Sequence, residues 1–150
     1  MAGSDRDHTA ILFVCIGNIC RSPMAAAIGR KHLPGRVKIA SAGIAPYGGS
    51  AAPEAIKVMR DCYDVDIMAH RSRGVREFTL ETFDIIVAMD IHVYSYLKDT
   101  CRVGSERLIR WEINDPFMCG LEAFRVCAGD IADAMNEIWR IVEGRTDCVS

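Results

Sequence analysis

The sequence predicts a single-domain α/β fold: a three-layer sandwich with a four-stranded parallel sheet and helices on both faces. Three observations lead there. The chain has 150 residues, the size of one domain. Its composition, 50% hydrophobic and 25% charged, is that of a packed globule rather than a disordered segment. Short apolar runs alternate with helically spaced segments, and that alternation implies a parallel sheet covered on both sides.

Residues 1–9 are polar and are read as a flexible tail, residues 10–143 as the domain, and residues 144–150 as a second flexible tail. Ala10–Cys15 is a β-rich apolar run that stops at Gly17-Asn18, as a buried strand does. Ser22 near the cap and Pro23 in the first turn open a helix through Met24, Ala25, Ala26, Ala27, Ile28 and Leu33, and Pro34-Gly35 closes it. Val37–Ala40 reads as a short strand, followed by a small-residue loop with Gly43, Pro46, Gly48 and Gly49. Pro53 opens a second helix with Ala55, Met59 and Cys62 on one face. Phe83–Met89 is an apolar strand, Ile91–Leu97 a helix and Arg107–Trp111 a last, shorter strand. Asn114-Asp115-Pro116 is a turn signal. Beyond it Leu121, Phe124, Ala128, Ile131, Met135, Ile138 and Val142 keep helical spacing for about six turns.

Charge and cysteine usage narrow the function. The net charge of −2, from 18 basic and 20 acidic residues, offers no excess for gripping a nucleic-acid backbone. The apolar run Ala10–Ile16 is too short to cross a bilayer, and the first residues carry no apolar stretch of an export signal. The expectation is a soluble cytoplasmic protein with neither a nucleic-acid nor a membrane partner. An odd count of 7 cysteines without an export signal argues against a disulfide scaffold. There is no Cys-x-x-Cys and no His-Glu-x-x-His, so neither a metal nor another cofactor is expected. Most of the thiols read as small buried hydrophobes.

Cys15 reads differently. An Arg six positions after a Cys is weak by itself, since Cys15/Arg21, Cys101/Arg107 and Cys119/Arg125 all match. An anion-binding loop needs converging backbone N–H groups and a helix N-terminus aimed at the same point. The segment Cys15-Ile16-Gly17-Asn18-Ile19-Cys20-Arg21 follows a strand, enters a helix and places Gly17 and Asn18 where unusual backbone angles are cheap. It holds no acidic side chain, whereas the other two matches hold Glu106 and Glu122. A helix N-terminus and a nearby cation favour the thiolate of a cysteine placed there, and the thiolate is the nucleophile. Arg21 can grip two phosphoryl oxygens at once.

The run from Ile11 through Cys15, Gly17, Asn18, Arg21, Ser22 and Pro23 to Ala25 closely resembles the signature of the low-molecular-weight protein tyrosine phosphatases, in a bacterial-type member. The resemblance extends from about residue 10 to 143, through Ser41-Ala42-Gly43, His70 with Arg73, Met89-Asp90 and Asp115-Pro116. It implies that Cys15 forms a phosphocysteine intermediate, that Arg21 binds the phosphate and that Asp115 acts as general acid and then base. It implies that Ser22 hydrogen-bonds the Cys15 thiolate, and that Asn18 holds the loop through a buried network with Ser41 and His70. Tyr47 stands where the family places an aromatic wall of the phosphotyrosine slot, with Ile16 and Ile19 as apolar sides. Cys20 matches the family's second cysteine, which can form a reversible disulfide with Cys15. The implied partners are a phosphotyrosine-bearing protein substrate and inorganic phosphate or other oxyanions in the loop, with the protein a monomer or weak dimer.

The sequence departs from that pattern after Asp115-Pro116, where Phe117 and Met118 replace the two tyrosines of many members as candidate pocket residues. Protein arginine phosphatases share the loop but characteristically carry threonine at the position of Ile19. Arsenate reductases of the same fold use two further cysteines near the third strand, and Phe83–Leu97 contains none. A phosphopeptide-binding module would be expected to have lost Cys15, Arg21 or Asp115, and all are present.

Overall fold

The computed structural model describes residues 8–149, and the side chains of residues 8–145. Four parallel strands, β1 (Ala10–Cys15), β2 (Lys38–Gly43), β3 (Ile85–Ala88) and β4 (Leu108–Arg110), lie in the order β2-β1-β3-β4. The helices are α1 (Arg21–His32), α2 (Pro53–Tyr63), α3 (Ile91–Ser95), which continues as a wider turn over Tyr96–Thr100, and α4 (Leu121–Val149).

β1 is paired along both edges. Ala10 to Cys15 face Lys38 to Gly43 on one side, and Ile11 to Val14 face Ile85 to Ala88 on the other. The chain leaves β1 toward one neighbour and later returns beside it on the opposite edge, so the two connections part at the carboxyl end of β1. Sheets of this kind bind ligands at that switch point.

The pleat of β1 divides the interior in two. Ile11, Phe13 and Cys15 face a core built with α1, α2 and α4, while Leu12 and Val14 face a second core with Val75, Val93, Leu97 and Val103. Burying each large apolar side chain there contributes roughly 1.5–3 kcal/mol. Phe13 packs its ring 5.8 Å from that of Trp111, so Phe13→Ala would hollow the first core at a cost of about 3–5 kcal/mol.

In α1, every residue from Arg21 to Gly29 is buried. Its small residues allow close approach to the sheet: a Cβ on Gly29 would stand 3.2 Å from Ile39 and 3.4 Å from Phe13. α4 covers the same layer with Phe124, Cys127, Ala128, Ile131, Met135, Ile138 and Val142.

The structure differs from the sequence expectations at several places. Residues 1–7 of the expected N-terminal tail lie outside the described residues, but Thr9 is buried and its carbonyl accepts the Lys38 N–H at 2.8 Å. The stretch from 144, expected as a tail, continues α4 to Val149, with no proline to stop it; residue 150 lies outside the described residues. β2 runs three residues beyond Ala40, because Ser41, Ala42 and Gly43 remain in register with β1. Cys62 is exposed; Val58 joins Ala55 and Met59 on the buried face of α2.

Candidate active site

The site is built on the loop that joins β1 to α1. α1 starts without a side-chain cap: Cys20 occupies the cap position, and no acidic residue sits in the first turn. Ser22 and Pro23 lie inside the first turn, next to that cap position. The first N–H groups of a helix lack intrahelical partners, and together with the helix dipole they favour an anion.

Asn18 shapes the loop. Its backbone is left-handed, with φ of 57°, a conformation that Asn tolerates better than most residues. Its N–H donates to Cys15 Sγ at 3.2 Å. Its fully buried side chain donates to Ser22 Oγ at 2.7 Å and Ser41 Oγ at 3.0 Å, and its Oδ1 accepts the Arg73 N–H at 2.9 Å. His70 Nε2 lies 2.8 Å from the Asn18 carbonyl, so this nitrogen carries the proton. Burial, with the nearby Arg30, Arg73 and Arg71 charges, holds the His70 imidazole below its usual pKa against the opposing pull of that bond. Cys15 Sγ is 3.0 Å from Ser22 Oγ, and both are buried.

The chain after β2 wraps the loop from outside. Ile44, Ala45 and Tyr47 donate N–H groups to the carbonyls of Cys15, Ile16 and Gly17. The close approach explains Gly43: a Cβ there would stand 2.6 Å from the Ile16 carbonyl oxygen.

Arg21 is 2% exposed. Its Nη1 donates to Asp90 Oδ2 at 2.7 Å and to the Ile113 carbonyl at 2.9 Å, and its Nη2 lies 3.8 Å from Asp115 Oδ2. Burial opposes the charge of Arg21, but the Asp90 hydrogen bond and the Cys15, Asp115 and Asp90 charges outweigh it and raise its pKa. Burial likewise works against the Asp90 carboxylate; bonds from the Val93 N–H and Arg21 overcome it and lower that pKa. Burial, with the Asp115, Cys15 and Cys127 charges, pushes the Cys20 thiol up to about 12, against the pull of Arg21.

These groups meet in a cavity of about 170 Å³, lined by Cys15, Ile16, Gly17, Ile19, Cys20, Arg21, Ala45, Tyr47, Asp115 and Phe117. The rings of Tyr47 and Phe117 stand 5.9 Å apart. Asp115 Oδ1 accepts the Phe117 N–H at 3.1 Å, a short turn that leaves the carboxylate exposed at the cavity wall. A nucleophilic sulfur, a buried cation and a carboxyl group around one apolar-walled cleft suit transfer of an anionic group.

A family model described as Low molecular weight phosphotyrosine protein phosphatase matches residues 10–145. The chain belongs to the low molecular weight phosphotyrosine protein phosphatase family. Its activity is that of a protein tyrosine phosphatase. Within that family it is 47% identical, over 76% of its own length and 82% of the relative's, to the probable low molecular weight protein-tyrosine-phosphatase EpsP of Ralstonia nicotianae. It is 34% identical to arsenate reductase 1 of Bacillus cereus, over 71% of this chain and 75% of that one. The structure of Vibrio vulnificus Wzb in complex with benzylphosphonate superposes with a TM-score of 0.77 at 28% identity, covering 88% of this chain and 97% of that one.

In this phosphatase, Ser22 and Asn18 hydrogen-bond Cys15 Sγ, Ser41 and His70 bond Asn18 behind them, and Ile16, Gly17, Ile19, Cys20, Arg21, Tyr47, Asp115 and Phe117 line the cleft with Cys15. Met118 does not. It is 84% exposed, with φ of 61°, and lies outside the cavity lining, because the left-handed turn after Phe117 carries it away from the slot. Two residues received no role from the sequence. Asp90 holds Arg21; its signal was an acid between an apolar strand and a helix, where its Oδ1 caps α3 through the Val93 N–H. Ser72 donates to the Gly17 carbonyl and accepts the Gly48 N–H, pinning the Tyr47 turn to the loop, and nothing in its local sequence announces this. Among the described residues, no three His, Cys, Asp or Glu side chains converge as metal ligands do.

Proposed function

We propose that this phosphatase hydrolyses phosphotyrosine in a protein substrate with Cys15 as nucleophile, Arg21 as phosphate clamp and Asp115 as general acid and base. The observation that carries the assignment is the convergence of those three side chains on one cleft at the N-terminus of α1. In the first step a bond forms from Cys15 Sγ to phosphorus as the bond from phosphorus to the phenol oxygen breaks, and the Asp115 carboxyl gives its proton to that oxygen. In the second step water attacks phosphorus, its proton passes to the Asp115 carboxylate, and the sulfur–phosphorus bond breaks to release phosphate. Arg21 and the loop N–H groups meet the charge that grows on the equatorial oxygens. The first step needs an ionised Cys15 and a protonated Asp115.

The apolar walls support an aryl ester as substrate. Ile19 lines the cleft where a hydroxyl would be needed to help water attack a phosphoguanidinium, and the Tyr47 and Phe117 rings flank its mouth. Arsenate reduction in this fold would need two further thiols near β3; Cys20 joins Cys15 in the cleft lining, but Cys62 and Cys101 do not. Among the described residues no helix is long and apolar enough to cross a membrane, and the reading places the enzyme in the cytoplasm, acting as a monomer or weak dimer without a metal. The test is phosphate release from a phosphotyrosine and a phosphoarginine peptide, side by side in excess chelator, with Cys15→Ser as control. Preference for phosphotyrosine, lost in the control, is expected. Preference for phosphoarginine would overturn the substrate assignment, and turnover by Cys15→Ser would overturn the nucleophile.

A further inference from the structure

A second concave surface lies behind the catalytic loop, and the chemistry above makes no use of it. It is a groove of about 560 Å³, against about 170 Å³ for the cleft, between α1, β2 and the segment 66–73. Arg30, Arg71, Arg73, His70, Asp66 and Ser41 supply its polar lining. Among the described residues, none of the three arginines has a carboxylate within ion-pair distance. Arg30 donates to the Ile39 carbonyl at 2.9 Å, and Arg71 to the His70 carbonyl at 2.9 Å and Ser50 Oγ at 3.3 Å. Arg73 stacks 4.8 Å over the Phe78 ring. These neutral partners satisfy geometry and cancel no charge. Asp66, the groove's carboxylate, accepts the Met68 N–H. A chain of net charge −2 thus sets three guanidinium groups against one carboxylate in a concavity too large for a single phosphate.

We propose that this groove is a second, non-catalytic anion site for a small ligand carrying two or more phosphoryl groups. Planar guanidinium groups bind phosphoryl oxygens in pairs, and several of them around one space favour a ligand with several such groups. The groove also touches the catalytic loop indirectly: Ser41 and His70 line it and both hydrogen-bond Asn18. Occupancy therefore presses on the residues that hold the loop in shape, and by linkage any effect on oxyanion affinity in the cleft is reciprocal.

The experiment is calorimetric titration of the full chain with pyrophosphate while saturating benzylphosphonate fills the cleft. One-site binding is expected, weakened at least tenfold in Arg30→Gln/Arg71→Gln, with p-nitrophenyl phosphate turnover and thermal midpoint of that variant close to wild type. In the wild-type protein, pyrophosphate should also raise the midpoint of the His70 ring titration followed by NMR, because a nearby anion favours the imidazolium. Loss of binding under benzylphosphonate, equal binding by the variant, or an unmoved His70 midpoint would each overturn the second site. A parallel titration with ADP names the source. Tighter binding than pyrophosphate assigns an organic diphosphate, and equal or weaker binding an inorganic one, either supporting the site.

Discussion

Replacing Asp90 by alanine removes two contacts at once, and the structure lets each be weighed. Arg21 is 2% exposed and Asp90 17%, with 2.7 Å between Nη1 and Oδ2, so the change strands a buried guanidinium. Breaking a buried pair costs about 3–5 kcal/mol; the residual exposure of Asp90 and the Ile113 carbonyl that stays on Arg21 put this one at about 2–3 kcal/mol. Losing the cap on α3 adds about 1 kcal/mol. Asp90→Ala should therefore lose about 3–4 kcal/mol in urea unfolding, and Asp90→Asn, which keeps a capping side chain, about 2–3 kcal/mol. Both should turn over p-nitrophenyl phosphate roughly 10- to 100-fold more slowly, since Arg21 loses the contact that aims it at the cleft. Asp90 is held below its ordinary pKa, so its stabilisation is complete above about pH 4 and fades as pH falls through the lowered folded value. The gap between wild type and Asp90→Asn should close accordingly in acid. A loss under about 1 kcal/mol in Asp90→Ala, the size of an exposed pair, or unchanged turnover in Asp90→Asn would refute the reasoning.

Four further outcomes are expected. Burial keeps the folded-state pKa of His70 low, so its share of stability is full above about pH 6.5 and is lost as pH falls through that lowered value. His70→Gln, which can still donate to the Asn18 carbonyl, should flatten this decline in a series of thermal melts from pH 8 to 5, while His70→Ala should lose about 1 kcal/mol or more at pH 8. Gly43→Ala drives a methyl to 2.6 Å from the Ile16 carbonyl oxygen, which should cost about 1–3 kcal/mol and distort the loop; a variant with wild-type melting and turnover would show that the loop yields freely. The Cys20 thiol, pushed up to about 12, should resist iodoacetamide at pH 7 in Cys15→Ser, as judged by mass spectrometry. If Cys20 captures the sulfenic acid of Cys15, peroxide inactivation should be reversible by thiol reductants in the wild type but not in Cys20→Ser, and recovery by Cys20→Ser would exclude that role.

The elements that local sequence marks most clearly lie where periodicity put them. β1 matches Ala10–Cys15, and the apolar spacing from Leu121 to Val142 is the buried stripe of α4. Boundaries moved where sheet pairing overrode local composition. The small residues Ser41, Ala42 and Gly43 read as loop, yet they complete β2 because β1 offers them partners through Cys15. The face of α2 turned by one neighbour, excluding Cys62 and admitting Val58, since a cysteine's apolar character does not say which side of a helix meets the core.

The same division runs through the site. The loop from Cys15 to Arg21 could be recognised in the sequence because its geometry is local: consecutive residues, one left-handed Asn whose N–H turns back to Cys15 Sγ, and the start of one helix. Asp90 came to Arg21 across 69 positions of chain only because β3 lies beside β1, and Ser72 reached Gly17 across 55 because the 70–73 segment runs alongside the end of β2. Phe117 and Met118 are neighbours in sequence and equally apolar, yet one lines the cleft and the other points away from it, by a single backbone angle of 61°. Adjacent residues carry the information for a turn or a cap within themselves, whereas contacts between distant segments are set by the order of strands and by the packing that closes around them.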